Sequence, residues 1–150
     1  MTTEQQKVQA LIEHETQCFM ARDFAKWSNC WVQKDYVSIL ECRPAFAEEI
    51  KGWQTISTYM KGLLGTGTTE LDDSVKKSHY VFQIGQDMAF VRFEENGNAS
   101  TRVLEKEDGQ WKISHVGVVY TSQYKAAGAY IHDWETRNEK LEKTGLLEKH

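Results

Sequence analysis

Glu15, Arg102 and His115 are the residues of this chain whose chemistry is most at odds with their placement. Glu15 sits in the middle of an apolar stripe: Val8, Leu11 and Ile12 lie seven, four and three residues before it, and Cys18 and Phe19 three and four after. A carboxylate pointing into a core is costly unless it is paired. Arg102 and His115 fall opposite one another on a strand face that is otherwise apolar, if the turns around them are tight hairpins. A carboxyl, an imidazole and a guanidinium converging in one cup could move a proton beside a stabilised oxyanion. The same three residues could instead be a structural ion pair between a helix and a sheet, with His115 a satisfied core histidine. If Glu15 is the partner of a buried Arg102, Glu15→Ala should cost roughly 3–5 kcal/mol. Trp31, Trp53, Tyr59 and Trp111 are candidate walls of a pocket with this polar floor, and Tyr36 could supply a hydroxyl.

Other chemistry-bearing types are less suggestive. Cys18, Cys30 and Cys42 recur every twelve residues, a spacing that matches no metal-binding motif, and they read as core or boundary thiols. His132, Asp133 and Glu135 cluster on a charged tail, where two-ligand spacing alone is unspecific. The chain has no phosphate-cradling Gly-rich loop, no nucleophile elbow and no Cys/His zinc spacing, so neither a cofactor nor a metal is expected. A net charge of −4 argues against nonspecific nucleic-acid binding. No run approaches the ~20 apolar residues of a membrane helix, and the N-terminus lacks a signal-peptide core. A cytoplasmic location is the default expectation.

The elements that must position these residues are legible from periodicity and turn chemistry. Helical spacing predicts an amphipathic helix from about Glu4 to Arg22, and Asp23 is a plausible N-cap for a short second helix burying Phe24, Trp27 and Trp31. Tyr36 to Leu40 reads as a strand, Pro44 as a break, and a third helix should start near Gly52 and bury Trp53, Ile56, Met60 and Leu63. Gly62, Gly65 and Gly67 lead into a Thr-rich loop. From Lys76 to Ser122, turn clusters at Gly85, Asn96-Gly97 and Asp108-Gly109 separate runs rich in Val, Ile, Phe, Tyr and Thr. Asn-Gly and Asp-Gly favour two-residue hairpins because both central residues take positive φ, so the segment predicts a four-stranded antiparallel meander. The chain after Ser122 looks helical, with a charged tail at about 135–150. One hundred and fifty residues without a linker suggest one domain. Segregation of helices from an antiparallel sheet indicates an α+β fold, with a long sheet curling around the helices.

The turns also fix a register. If both hairpins have two-residue loops, Glu95 pairs with Asn98, Val91 with Arg102, Glu107 with Gln110 and Arg102 with His115. The inner face then carries Ala89, Val91, Phe93, Leu104, Trp111, Ile113, Gly117 and Val119. Phe90, Val103, Val116 and Val118 fall on the other face, too apolar for plain exposure. Such a patch usually marks an interface, which predicts a homodimer through the outer sheet face. A one-residue slip would swap the faces.

Four segments carry a family resemblance: CFMARD at 18–23, WSNCWVQKDY at 27–36, GWQTI at 52–56, and RVLEK at 102–106 followed by DGQWKI at 108–113. With them the chain resembles the nuclear transport factor 2-like superfamily, which includes ketosteroid isomerases, polyketide cyclases, dehydratases and many members with no known activity. The resemblance implies a cone-shaped, cystatin-like curved sheet wrapped around N-terminal helices, a pocket in the cone, and dimers through the sheet. It does not carry the isomerase residues. The position matching their general-base Asp is about Leu40, with Glu41 adjacent at the opposite parity. The counterpart of their oxyanion-hole Tyr is Glu15, which donates a hydrogen bond only if kept protonated. The sequence thus points to a small organic ligand bound in the cone. Two alternatives are a cofactor-free isomerase, cyclase or dehydratase using His115 and Arg102, and a non-catalytic interaction module.

Overall fold

A computed structural model describes residues 1–43, 45–65 and 75–120. The segments expected to form a loop around Gly67 and a helix with a charged tail after Ser122, together with Pro44 and the residues His132, Asp133 and Glu135, lie outside the described residues. Among the described residues no helix is long and apolar enough to cross a membrane.

Helix α1 spans Thr3–Met20. Thr2 starts it with a capping box: its hydroxyl accepts from the Gln5 amide, and the Gln5 side chain accepts from the Thr2 amide. The helix buries Val8, Ile12, Glu15 and Cys18, so the carboxylate does share the apolar stripe. Asp23 caps the six-residue α2, Phe24–Asn29, which buries Trp27. Helix α3, Trp53–Gly65, follows Gly52, whose φ of 82° reverses the chain. The Gly52 amide donates to the Val37 carbonyl at 2.8 Å, which ties the start of α3 to the segment leading into the sheet.

Six strands make one sheet. They are β1 Ser38–Cys42, β2 Ala47–Lys51, β3 Lys77–Ile84, β4 Met88–Glu95, β5 Asn98–Glu107 and β6 Gln110–Val119. Their order is β2-β1-β6-β5-β4-β3. The meander is present as expected, and its neighbours are antiparallel, but β1 joins β6 in parallel. The strand expected at Tyr36–Leu40 is shifted to Ser38–Cys42. Strand β2 was not anticipated: Ala-Glu-Glu-Ile-Lys is a polar, exposed edge strand with no hydrophobic alternation to announce it.

Both two-residue turns have positive φ at each central residue: 50° and 81° at Asn96-Gly97, and 50° and 77° at Asp108-Gly109. Three expected pairs are therefore observed, Glu95 with Asn98, Val91 with Arg102 and Glu107 with Gln110. The fourth is not. Leu104 pairs with Ile113 but Val103 pairs with His115, leaving Ser114 as an extra residue, and Arg102 pairs with Val116. This β-bulge inverts the parity of β6 beyond it. Val116 and Val118 turn inward, and His115, Gly117 and Val119 outward, the reverse of the uninterrupted register. The buried Ser114 hydroxyl donates to the Val103 carbonyl at 3.2 Å, which satisfies the polar atom the bulge takes inside.

The core lies between the helices and the inner sheet face. Val8, Ile12, Trp27, Trp31, Val91, Phe93, Leu104 and Ile113 are essentially inaccessible to solvent there. Trp27, Trp31 and Trp53 cluster with ring centroids 5.4–6.4 Å apart, Trp27 stacked on Trp53 and Trp31 tilted against both.

Candidate functional site

The inner face of the sheet and the helices enclose a cavity of about 340 Å3, within the ~300–1,000 Å3 of small-molecule sites. Glu15, Trp27, Glu95 and Arg102 line it from α1, α2, β4 and β5, and Trp31 lines it from the segment just after α2. Phe19, Met60, Leu63, Ile39, Ile50, Val116 and Val118 form apolar walls, and Glu41, Arg43, Glu48 and Tyr120 add a second polar region.

Glu15 reaches the cavity because it shares a helix face with Ile12 and Cys18. Its Oε1 accepts from the Trp27 indole Nε1–H at 2.6 Å, a buried hydrogen bond across α1 and α2. Burial pushes the Glu15 carboxyl above its ordinary range, opposed by the positive charge of Arg102 and the Trp27 hydrogen bond. Arg102 is 4% exposed. Its guanidinium lies 5.0 Å from the Phe93 ring centroid and donates from Nη1 to the Thr101 carbonyl at 2.9 Å. Among the described residues the carboxylate within 4.0 Å of Arg102 is Glu95, at 3.8 Å, so the expected Glu15–Arg102 ion pair is not formed. Glu95 Oε2 also faces Lys77 Nζ at 3.8 Å. Both distances exceed hydrogen-bond length. Arg102 Nε, Trp31 Nε1 and Glu95 Oε2 are buried with no hydrogen-bond partner among the described residues.

Of the residues singled out by sequence, Glu15, Arg102, Trp31 and Tyr59 line this cavity and the others do not. His115 is carried to the outer face by the bulge, where its Nδ1 lies 2.7 Å from the Ser38 hydroxyl. Burial, then the charge of Arg102, holds its imidazole below the usual histidine range. The expected Arg102–His115 pair is thus divided between the two faces of the sheet. Tyr36 is exposed and donates to Glu105 at 2.7 Å. Trp53 packs behind Trp27 and Trp31. Trp111 is buried near the start of α1, where its indole donates to Glu4 at 2.9 Å and Lys106 lies over its ring.

Sequence reasoning missed Glu95, Trp27 and Arg43 as cavity residues, and it set Glu41 aside on parity although that side chain lines the cavity. Strand alternation held the signal for Glu95, which has the parity of inward-facing Val91 and Phe93. Glu41 is on the cavity side of β1 with Ile39 and is ion-paired to Arg43 at 2.9 Å. Cys18 and Cys30 are buried as expected, and burial pushes the Cys30 thiol up to about 12.

A curved six-stranded sheet with helices on one face and a polar-ended cavity between them defines the cone-shaped α+β class. The chain belongs to the SnoaL-like domain family, whose model matches residues 8–118. It is similar in structure to a nuclear transport factor 2-like protein of unknown function from Pseudomonas putida, with 16% identity and a TM-score of 0.63 over 79% of this chain and 88% of that one. A proposed dehydratase of the nuclear transport factor 2-like family from Streptomyces avermitilis matches at 14% identity and a TM-score of 0.62, over 78% of this chain and 95% of that one. A cystatin-like-fold protein of unknown function from Nostoc punctiforme matches at 11% identity and a TM-score of 0.62, over 79% and 92%. No curated protein matches the chain significantly. At these identities the structural likeness concerns the fold, and fold alone does not assign chemistry.

Proposed function

We propose that this protein binds a small organic molecule in the cone cavity, with an anionic or carbonyl group directed at Arg102 and a flat apolar body against Trp31 and the aliphatic walls. The observation that carries this reading is Arg102 itself, 4% exposed, lining the cavity, with its Nε unpartnered among the described residues. A buried guanidinium with spare donors is suited to a carboxylate or carbonyl oxygen. Its loose 3.8 Å approach to Glu95 leaves that capacity uncommitted. The outer sheet face, with exposed Val81, Met88, Phe90 and Val119, is the surface through which we expect two copies to associate.

Native mass spectrometry of gently purified protein, with denaturing release, would identify a copurifying ligand. Titration with 2-naphthoate, followed by quenching of tryptophan fluorescence, tests the chemistry directly. Arg102→Met should weaken naphthoate binding about 10- to 100-fold, corresponding to a charge-assisted hydrogen bond of ~1.5–3 kcal/mol. Equal binding of 2-naphthoate and 2-naphthylamine, unaffected by Arg102→Met, would rule the reading out.

A cofactor-free enzyme is the second reading, and one observation favours it. Glu41 and Glu15 both face the cavity, one paired to Arg43 at 2.9 Å and the other buried against Trp27. Two carboxyl groups in contrasting environments are the usual basis for dividing acid and base roles. His115, on the opposite face, would take no part, so His115→Gln should leave any turnover intact while Glu41→Gln lowers it.

A further inference from the structure

We propose that His14, Cys18 and Cys30 form a binding site for a thiophilic divalent cation of the Zn2+ class. Among the described residues these three form a group whose ligand atoms all lie within 4.8 Å of one another. His14 and Cys18 are one turn apart on α1, so their side chains share a face. Cys30 is the C-cap of α2, and its carbonyl accepts from the Ile113 amide at 2.8 Å, which anchors the third ligand to β6. The twelve-residue interval between the cysteines matches no contiguous motif because the third ligand lies one turn before Cys18.

The geometry suits a metal. The His14 Nε2 to Cys18 Sγ separation is 3.5 Å. Bonds of about 2.3 Å to sulfur and about 2.0–2.1 Å to nitrogen at tetrahedral angles place those atoms ~3.5 Å apart. Two thiolates and an imidazole are a borderline-to-soft donor set that selects zinc over magnesium or calcium. Cys18 and Cys30 are buried while His14 is exposed, so a cation can enter from the His14 side. As the two sulfur–metal bonds form, the thiol protons pass to solvent. Three protein ligands leave a fourth position for water or another donor.

The test is titration of chelator-treated, reduced, full-length protein with Co2+, followed by Zn2+. One Co2+ per chain should bind, with sulfur-to-cobalt charge-transfer absorption and the visible bands of tetrahedral cobalt, and one Zn2+ should displace it. His14→Ala changes a surface position and should keep the fold. It should weaken Zn2+ at least the roughly 10–100-fold that even partners outside the ligand shell contribute. Cys18→Ser combined with Cys30→Ser should abolish the charge-transfer band, and Cys42→Ser should leave it unchanged. Absence of that band in the unsubstituted protein, its survival in the double variant, or its loss in Cys42→Ser would overturn the proposal. A Cys18–Cys30 disulfide in untreated protein, with no metal uptake after reduction, would do the same.

Discussion

Arg102 is the charge around which the cavity is organised, and its partner determines what Glu15 contributes. Were Glu15 its ion-pair partner, Glu15→Ala would leave a buried guanidinium alone. With Glu95 at 3.8 Å instead, the truncation chiefly orphans the Trp27 indole N–H. Glu15→Ala should therefore cost about 1–3 kcal/mol, the penalty of one unsatisfied buried donor, instead of 3–5. Glu15→Gln retains an acceptor for Trp27 and should stay within about 1 kcal/mol of the parent in urea unfolding. His115 makes a separate prediction. Its folded-state pKa lies below the ordinary histidine value of 6.5, so below that pH the unfolded chain binds more protons. Its contribution to stability should be present above pH 6.5 and fall away as pH drops toward the folded-state value. His115→Gln should remove that part of the pH dependence, measured as unfolding free energy from pH 5 to 8. The inward Glu15 was legible because a helical stripe is read within one segment. The pairing of Arg102 with His115 was not, because it depended on counting residues through a strand that contains an unmarked extra one.

The bulge at Ser114 is the element-scale feature that decides which residues form the site. Up to Ile113 the hairpin follows the register set by Asp108-Gly109, and the alternation read from sequence is correct. Beyond it, Val116 and Val118 replace His115 and Gly117 on the cavity wall. Beyond the shift Val116 and Val118 share one parity and His115, Gly117 and Val119 the other, so valine falls in both sets and alternation alone does not mark the extra residue. Gly117 records the outcome: a Cβ there would lie 2.6 Å from Thr101 Oγ1 and 3.4 Å from His115 Nε2. Gly117→Ala should consequently destabilise by roughly 1–3 kcal/mol through overpacking on the outer face. Thr101→Ala removes the closest obstructing atom. The double variant should therefore be more stable than the two single losses predict, a coupling that denaturant melts of all four proteins would measure. Additive effects would mean that Gly117 does not stand against Thr101. The turn residues made the meander readable, whereas the polar edge strand β2 lacked any comparable local signal.

At the scale of the whole molecule, one curved sheet separates two surfaces whose functions should be independently removable. The inner face holds the cavity and Arg102; the outer face presents Phe90 and Met88 to solvent, at 39% and 57% exposure. Val116 and Val118, expected to strengthen the outer patch, instead line the cavity, so the predicted self-association rests on fewer apolar side chains. Phe90→Glu places a charge at the centre of what remains, opposite Val103 on the neighbouring strand. If two copies meet through this face, sedimentation equilibrium should show a dimer for the parent and a monomer for Phe90→Glu. Naphthoate binding should change little in that variant, because the substituted side chain lies across the sheet from Arg102. Arg102→Met should give the converse result, an intact dimer that has lost the anion. A monomeric parent at all concentrations would remove the outer face from consideration while leaving the cavity reading in place. Loss of naphthoate binding in a folded, monomeric Phe90→Glu protein would mean that association shapes the cavity, and that the two faces of the sheet do not act separately.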